Sequence, residues 1–297
     1  MIDLKSCPIC ESVDLKRFIN CKDHSTSKEV FTIVSCETCS FKFTNPRPEE
    51  KNIHKYYQSE NYISHTNKKR GLFSWLYQNI RKYTLKKKAN LILKLNKERN
   101  VNILDYGCGT GDFLQRCKEL KMNVFGIEPS KKAREQAISN FGIDVKENDN
   151  LEEYSKNKFD TITLWHVLEH LYSINKTIKS FNKILKNNGH LIVAVPNINA
   201  WESKYYKSFW AAWDVPIHLW HFSPETLTQI FKKHGFRVIE KKPMLFDSYY
   251  ISILSEEYKT GKKNYVKGVL IGLLSNIIGI FTSKGTSSVL YVLKKEK

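Results

Sequence analysis

From residue 101 onward, short apolar runs alternate with segments whose apolar positions recur at helical spacing. The runs at 101–106, 123–128, 143–147, 159–164, 189–195 and 236–241 read as strands, and helical periodicity fills 111–120, 130–140, 173–187 and 223–234. Such alternation predicts an α/β fold, a mostly parallel sheet with helices on both faces. The closing Ser287-Ser-Val-Leu-Tyr-Val-Leu293 reads as a last strand. Ligands of such sheets bind beyond the carboxyl ends of the strands. Asp105, Glu128, Asp149, His166 and Asn197 all fall at such ends.

The first 45 residues follow a different pattern. Cys7-Pro-Ile-Cys10 and Cys36-Glu-Thr-Cys39 are two CxxC knuckles, and the segments between them alternate like short strands. Four thiolates complete the tetrahedral shell of a structural zinc ion, so Cys7, Cys10, Cys36 and Cys39 are expected to hold Zn2+ in a small ribbon. Asn45-Pro-Arg-Pro48 is a stiff, helix-breaking stop. Residues 46–99 read as a basic helical linker or cap, in which Tyr56, Tyr57 and Tyr62 can reach over the domain that follows. The expected order is a zinc ribbon at 1–45, the linker at 46–99, an α/β core at 100–245, a helical insertion at 246–286 and a final core strand at 287–297.

The chemistry concentrates at Ile103-Leu-Asp-Tyr-Gly-Cys-Gly-Thr-Gly-Asp112. A strand ends in Asp105, and Gly107, Gly109 and Gly111 then let the backbone turn tightly and approach a ligand before a helix starts. The spacing is GxGxG rather than the GxGxxG of dinucleotide binders. A second strand ends in Glu128, an acid placed to meet a ribose diol. With "VFGIEPS", "FDTITLWHVLEHL" and "GHLIVAVPN" following in order, the chain resembles the Rossmann-like S-adenosylmethionine-dependent methyltransferases. It is similar to a subgroup with an amino-terminal zinc module, some members of which methylate sugars and other small molecules. The resemblance implies a seven-stranded sheet whose last strand is antiparallel. It implies S-adenosylmethionine as cofactor, with Asp105, Gly107 and Gly109 at its methionine end, Gly111 also among the cofactor-binding residues, and Glu128 on its ribose. Asp149 would meet the adenine, with Asn148 and Asn150 as the neighbouring alternatives.

Two histidine groups are candidates for a general base. His166 and Glu169 follow the fourth strand, and His170 comes next in the same turn. His218 and His221 precede a helix that Ser223 should cap, with Pro224 at its first position. Four of the six tryptophans lie in 201–222, which suggests a lid or an acceptor pocket.

Charge changes the picture less than its size suggests. The formal net charge is +18, but only eight of the 48 basic residues are arginine, the residue that phosphate recognition favours. Nucleic acid is therefore not the expected partner, although a zinc-ribbon RNA-binding protein with an RNA-directed or inactive methyltransferase fold is the alternative from another class. The amino terminus has no apolar stretch of signal-peptide type, and a cytoplasmic enzyme is expected. Residues 268–281 are almost wholly apolar and flanked by lysines. As a helix they span about 21 Å, short of the hydrocarbon thickness, which fits packing on the core or peripheral contact with the inner membrane face. The expected acceptor is a small molecule or a sugar linked to lipid or nucleotide, with a prenylated ring at the membrane surface as the alternative.

Overall fold

The computed structural model describes residues 1–57, 72–96, 100–147, 151–282 and 284–296, with the side chains of 72–77 left aside. Eleven strands and eight α-helices are assigned among them. The amino-terminal part contains β1 (Leu15–Lys22), β2 (Val30–Cys36) and β3 (Lys42–Thr44), followed by the long helix α1 (Leu72–Leu95). The α/β core then runs β4 (Asn102–Tyr106), α2 (Asp112–Glu119), β5 (Asn123–Ile127), α3 (Lys131–Phe141), β6 (Asp144–Lys146) and β7 (Phe159–Trp165). It continues with α4 (Ile174–Ile184), β8 (Leu185–Pro196), α5 (Trp201–Tyr206), β9 (Trp220–His221), α6 (Pro224–Lys233) and β10 (Phe236–Pro243). Helices α7 (Leu245–Thr260) and α8 (Tyr265–Phe281) precede the last strand, β11 (Ser288–Lys295).

The main sheet has seven strands in the order β10-β11-β8-β7-β4-β5-β6. Strands β6, β5, β4, β7 and β8 are parallel, and β11 enters antiparallel between β8 and β10. This is the mostly parallel Rossmann-like sheet expected from the sequence. Period-two alternation divides its side chains between two layers. Leu104, Tyr106, Leu191, Val193, Tyr291 and Leu293 belong to one buried cluster, while Ile103, Ile192, Leu290 and Val292 belong to the cluster on the other face.

Local signals fix the helix ends that matter. Ser223 caps α6 by accepting from the Thr226 amide, Thr226 returns the bond, and Pro224 occupies the first turn. Gly126 on β5 lies so close to the glycine turn that a Cβ there would sit 2.7 Å from Cys108 Sγ.

The zinc-ribbon segment is less separate than its composition suggests. Its sheet runs β1-β2-β3-β9, so a strand of the α/β core completes it. Phe41 packs on Trp220 and Phe222 with ring centroids 5.9 and 5.7 Å apart. Cys7, Cys36, Phe41 and Phe43 fall in the same apolar cluster as Leu164, Leu168 and Phe231. Arg47 stacks over Trp220 at 4.3 Å, and its charge is largely buried.

Candidate active site

The glycine turn and the acid of the second strand face each other. Gly107, Gly109 and Gly111 all have positive φ (79°, 54° and 80°), a region that L side chains avoid. The three are not equivalent. A Cβ on Gly107 would meet Val167 at 2.5 Å and one on Gly111 would meet Ala137 at 2.9 Å, whereas Gly109 opens onto free space. Gly109 is therefore where a ligand can lie against bare backbone. Its amide donates to Glu128 Oε2 at 2.8 Å, and the Ser130 amide donates to Glu128 Oε1 at 2.8 Å. Burial raises the Glu128 pKa against these amides. Asp105 is buried at the end of β4, accepts from Thr163 Oγ1 at 2.5 Å, and is pushed up to about 7 by burial. An open backbone cradle between two buried carboxylates fits the ribose and the ammonium-bearing methionine end of S-adenosylmethionine. Asp149 lies outside the described residues.

Beyond the end of β7 the chain brings together side chains from four distant segments. His166 has φ of 57° and ion-pairs with Asp247 at 3.0 Å and with Glu169 at 3.5 Å. Burial alone would lower its pKa, but the two carboxylates overrule that and hold it up at about 9. It is thus an imidazolium at neutral pH. Glu169 is fully buried, and among the described residues neither of its oxygens has a hydrogen-bond partner. Burial opposes its ionisation, yet the charged His166 beside it lowers its pKa.

His170 and His218 are in the opposite state from His166. Their rings meet edge to face with centroids 4.7 Å apart. His170 Nδ1 donates to the Ile217 carbonyl at 2.9 Å, and His218 Nδ1 donates to the Ala212 carbonyl at 2.9 Å. A carbonyl only accepts, so each ring carries its proton on Nδ1 and keeps a lone pair on Nε2. Burial brings His170 down to about 4, with the neighbouring His218 adding to the shift, and burial lowers His218 as well. Asp214 approaches His218 Nε2 at 3.9 Å from a left-handed backbone position, and burial pushes its own pKa up to about 7. The Tyr57 hydroxyl lies 3.1 Å from His170 Nδ1, so this tyrosine reaches the histidine cluster.

Other candidates are placed elsewhere. His221 is buried in β9, its Nε2 is 3.0 Å from Thr44 Oγ1, and its ring packs on Trp213. That ring serves the junction with the amino-terminal sheet. Three of the four tryptophans in 201–222 form core rather than a lid, and Trp201 is half-buried. Trp210, Trp213 and Trp220 are buried and donate to Glu202, the Lys207 carbonyl and the Leu171 carbonyl. Tyr56 turns to the ribbon, donating to Glu29 and packing on Phe31, and Tyr62 lies outside the described residues.

Two participants had no sequence signal. Asp247 comes from the first turn of α7, inside the insertion, and Lys88 reaches in from α1 with its ammonium 4.0 Å from the Trp165 ring centroid. Burial lowers the Lys88 pKa, while Asp247 and Asp105 nearby support its charge. His170 was visible beside Glu169 in the sequence, and only the fold shows that it meets His218. The four cysteine thiols converge at the amino-terminal end, all within 4.8 Å of one another. Cys7 and Cys39 are 3.5 Å apart, as are Cys10 and Cys36, spacings compatible with a single tetrahedral ion.

A family model described as a methyltransferase domain matches residues 77–241, over half of the chain. This chain belongs to that methyltransferase-domain family. The methyltransferase is 35% identical over 104 residues to a ubiquinone biosynthesis O-methyltransferase of Pelagibacter ubique, covering 33% of this chain and 43% of that protein. It is 29% identical over 149 residues to an uncharacterized methyltransferase of Bacillus cytotoxicus, covering 46% and 70%. The match spans about half the length of the first curated relatives. A SAM-dependent methyltransferase of Archaeoglobus fulgidus has the same fold, with a TM-score of 0.50 at 20% identity over 76% of this chain and 100% of that one. The chain thus shares a methyltransferase-domain family with these relatives and a fold with a SAM-dependent methyltransferase.

Proposed function

We propose that the enzyme methylates a small hydroxylated acceptor, either free or as a sugar carried on a nucleotide or a lipid. The observation that carries this reading is the pairing of His170 and His218, two imidazoles whose Nδ1 atoms are tied to backbone carbonyls, beside the buried Glu169 carboxylate. When bound, S-adenosylmethionine supplies a methyl group already activated by its sulfonium. Asp105 and the open backbone at Gly109 line the methionine end in this reading, Gly107 and Gly111 shape the turn that presents it, and Glu128 holds the ribose hydroxyls. The His170 imidazole takes the acceptor proton as the acceptor atom takes the methyl group, with Glu169 compensating the new positive charge. His166, already charged and clamped by Glu169 and Asp247, orients the turn rather than accepting a proton. A prenylated ring at a membrane surface is the second reading, favoured by the exposed apolar face of α8.

Methyl-labelled S-adenosylmethionine incubated with the enzyme and a metabolite extract tests the acceptor. Label in a polar sugar nucleotide or lipid-linked sugar is expected. Label confined to a prenylated aromatic fraction would replace this reading with the second.

Zinc in the four-cysteine cluster belongs to the same proposal, as a structural ion. Metal analysis of enzyme purified without chelator is expected to give about one zinc per chain. Because Phe41 and Phe43 share their core with Trp220, Cys36→Ser should lower the melting temperature of the whole molecule and not only loosen the ribbon. A chain free of zinc, with unchanged melting of the variant, would remove the ion.

A further inference from the structure

Helix α8 is built inside out. The residues it buries are small or polar: Gly268, Gly272, Ser275, Asn276 and Gly279. The residues it exposes are large and apolar: Val266 at 73%, Leu270 at 59%, Leu273 at 44%, Ile277 at 45%, Ile280 at 54% and Phe281 at 84%. At 100° per residue these form one stripe about 100° wide along the whole helix. A helix on an ordinary protein surface turns such a stripe to the core.

The inner face explains why the helix stays docked this way round. A Cβ on Gly268 would lie 2.7 Å from the Ile253 Cα, one on Gly272 would lie 2.9 Å from the Ser248 carbonyl, and one on Gly279 would lie 2.6 Å from the Gly285 carbonyl. Backbones approach closely, and polar side chains bond across the contact. Ser248 Oγ donates to Asn276 Oδ1 at 2.7 Å, and Asn276 Nδ2 donates to the Leu245 carbonyl at 2.8 Å. Close glycine contacts plus interhelical hydrogen bonds are how helices associate when their outer surroundings are lipid. The outer face cannot be flipped inward, because a large side chain at the Gly268 or Gly272 position would clash with the backbone of α7.

Charge indicates which apolar surface receives the stripe. Lys259, Lys262 and Lys263 crowd the turn between α7 and α8, and Lys284 follows the other end, all of them exposed. At the start of α7, Leu245 and Phe246 are each 39% exposed and continue the apolar surface. Phe246 packs on Tyr83 of α1, where Lys87 sits over the same ring at 4.7 Å. A large apolar face rimmed by lysine is complementary to an anionic bilayer. Among the described residues no helix is long and apolar enough to cross a membrane, so the contact is flat.

We propose that α7 and α8 form a platform that lies on an anionic lipid bilayer and, resting on the acceptor reading above, that it presents the cleft to lipid-carried acceptors. The geometry joins platform to cleft. Asp247, one residue beyond the exposed Phe246, is the residue that ion-pairs with His166. The apolar surface therefore reaches the lip of the active site.

Flotation of the full chain with vesicles tests the platform. Vesicles of phosphatidylcholine with about 30% phosphatidylglycerol are expected to carry the enzyme at low salt, and about 0.5 M salt should release much of it. The triple variant Leu270→Ser, Leu273→Ser, Ile277→Ser should bind at least about tenfold less tightly. Its S-adenosylhomocysteine affinity should be unchanged, which shows that it is folded. Lys262→Glu with Lys263→Glu should lose the preference for anionic vesicles. Failure of the wild-type chain to float at low salt would overturn the platform. So would a dimer in sedimentation that the triple variant dissociates, since the stripe would then cover a second copy of the chain. Binding to vesicles without methylation of any lipid-linked sugar would leave the platform standing and overturn the lipid-carried acceptor.

Discussion

Replacing Glu128 by alanine is expected to weaken S-adenosylhomocysteine binding by about 10- to 150-fold in titration calorimetry. The range follows from loss of a charge-assisted pair of hydrogen bonds to the ribose, about 1.5–3 kcal/mol. The carboxylate also does local work in the protein. It accepts from the Gly109 and Ser130 amides, so the variant leaves two amides of the glycine turn without their acceptor. Both effects act in the same direction on affinity. Glu128→Gln separates them, because the amide oxygen can still accept from one N–H while the charge is gone. Acidification gives an independent reading. Burial raises the Glu128 pKa, so its carboxylate is protonated at a higher pH than an ordinary glutamate. The contribution it makes as a carboxylate is lost as pH falls through that raised value. Unchanged affinity in Glu128→Ala would take the residue out of the cofactor site.

What the sequence made legible was local. Asp105, the three glycines and the start of α2 lie within a few residues, so spacing alone predicts strand, turn and helix. The structure adds which glycine does what: Gly107 and Gly111 are required by packing on Val167 and Ala137, and Gly109 by the open cradle. The Ser223 cap was legible for the same reason, since its partner is three residues away. The two CxxC knuckles were legible because thiolate chemistry restricts what such spacing can mean.

What the sequence hid is set by contacts between distant segments. His221 and the Ser223 cap are neighbours in the chain, yet His221 pairs with Lys42 on β3 and spends its ring on Thr44. No pattern near residue 221 announces a partner at residue 44. The aromatic density of 201–222 has the same origin. It fills the seam where the ribbon meets the α/β core, as the Phe41–Trp220 stack shows, and the neighbouring cluster of Glu169, His170 and His218 is built instead from an acid and two histidines. The apolar run at 268–281 was visible, but its inverted orientation depends on how Gly268, Gly272 and Gly279 meet α7 and the following turn.

The second large effect is expected at His170. His170→Ala should lower turnover on the natural acceptor by about 10²–10⁴-fold while affinity for S-adenosylhomocysteine stays within about twofold. The choice of His170 over its neighbours is electrostatic. His166 is held charged at about 9 by Asp247 and Glu169 and has no lone pair to offer at neutral pH. His221 is buried at the ribbon seam, so His221→Ala should cost stability and leave turnover nearly intact. His218 shares the cluster but is almost fully buried, whereas His170 is only partly buried and touches Tyr57 across the cleft. The pH profile carries a signature of its own. An ordinary histidine base loses activity as pH falls through about 6.5. Burial and His218 depress His170 to about 4, so its neutral, proton-accepting form persists to lower pH. The acid limb of kcat/KM should therefore lie well below that of an ordinary histidine. Glu169→Gln should reduce turnover as well, because the imidazolium formed in the reaction would lose its buried counter-charge. A His170→Ala enzyme with near-normal turnover would assign the proton to another group and make His218 the residue to test next.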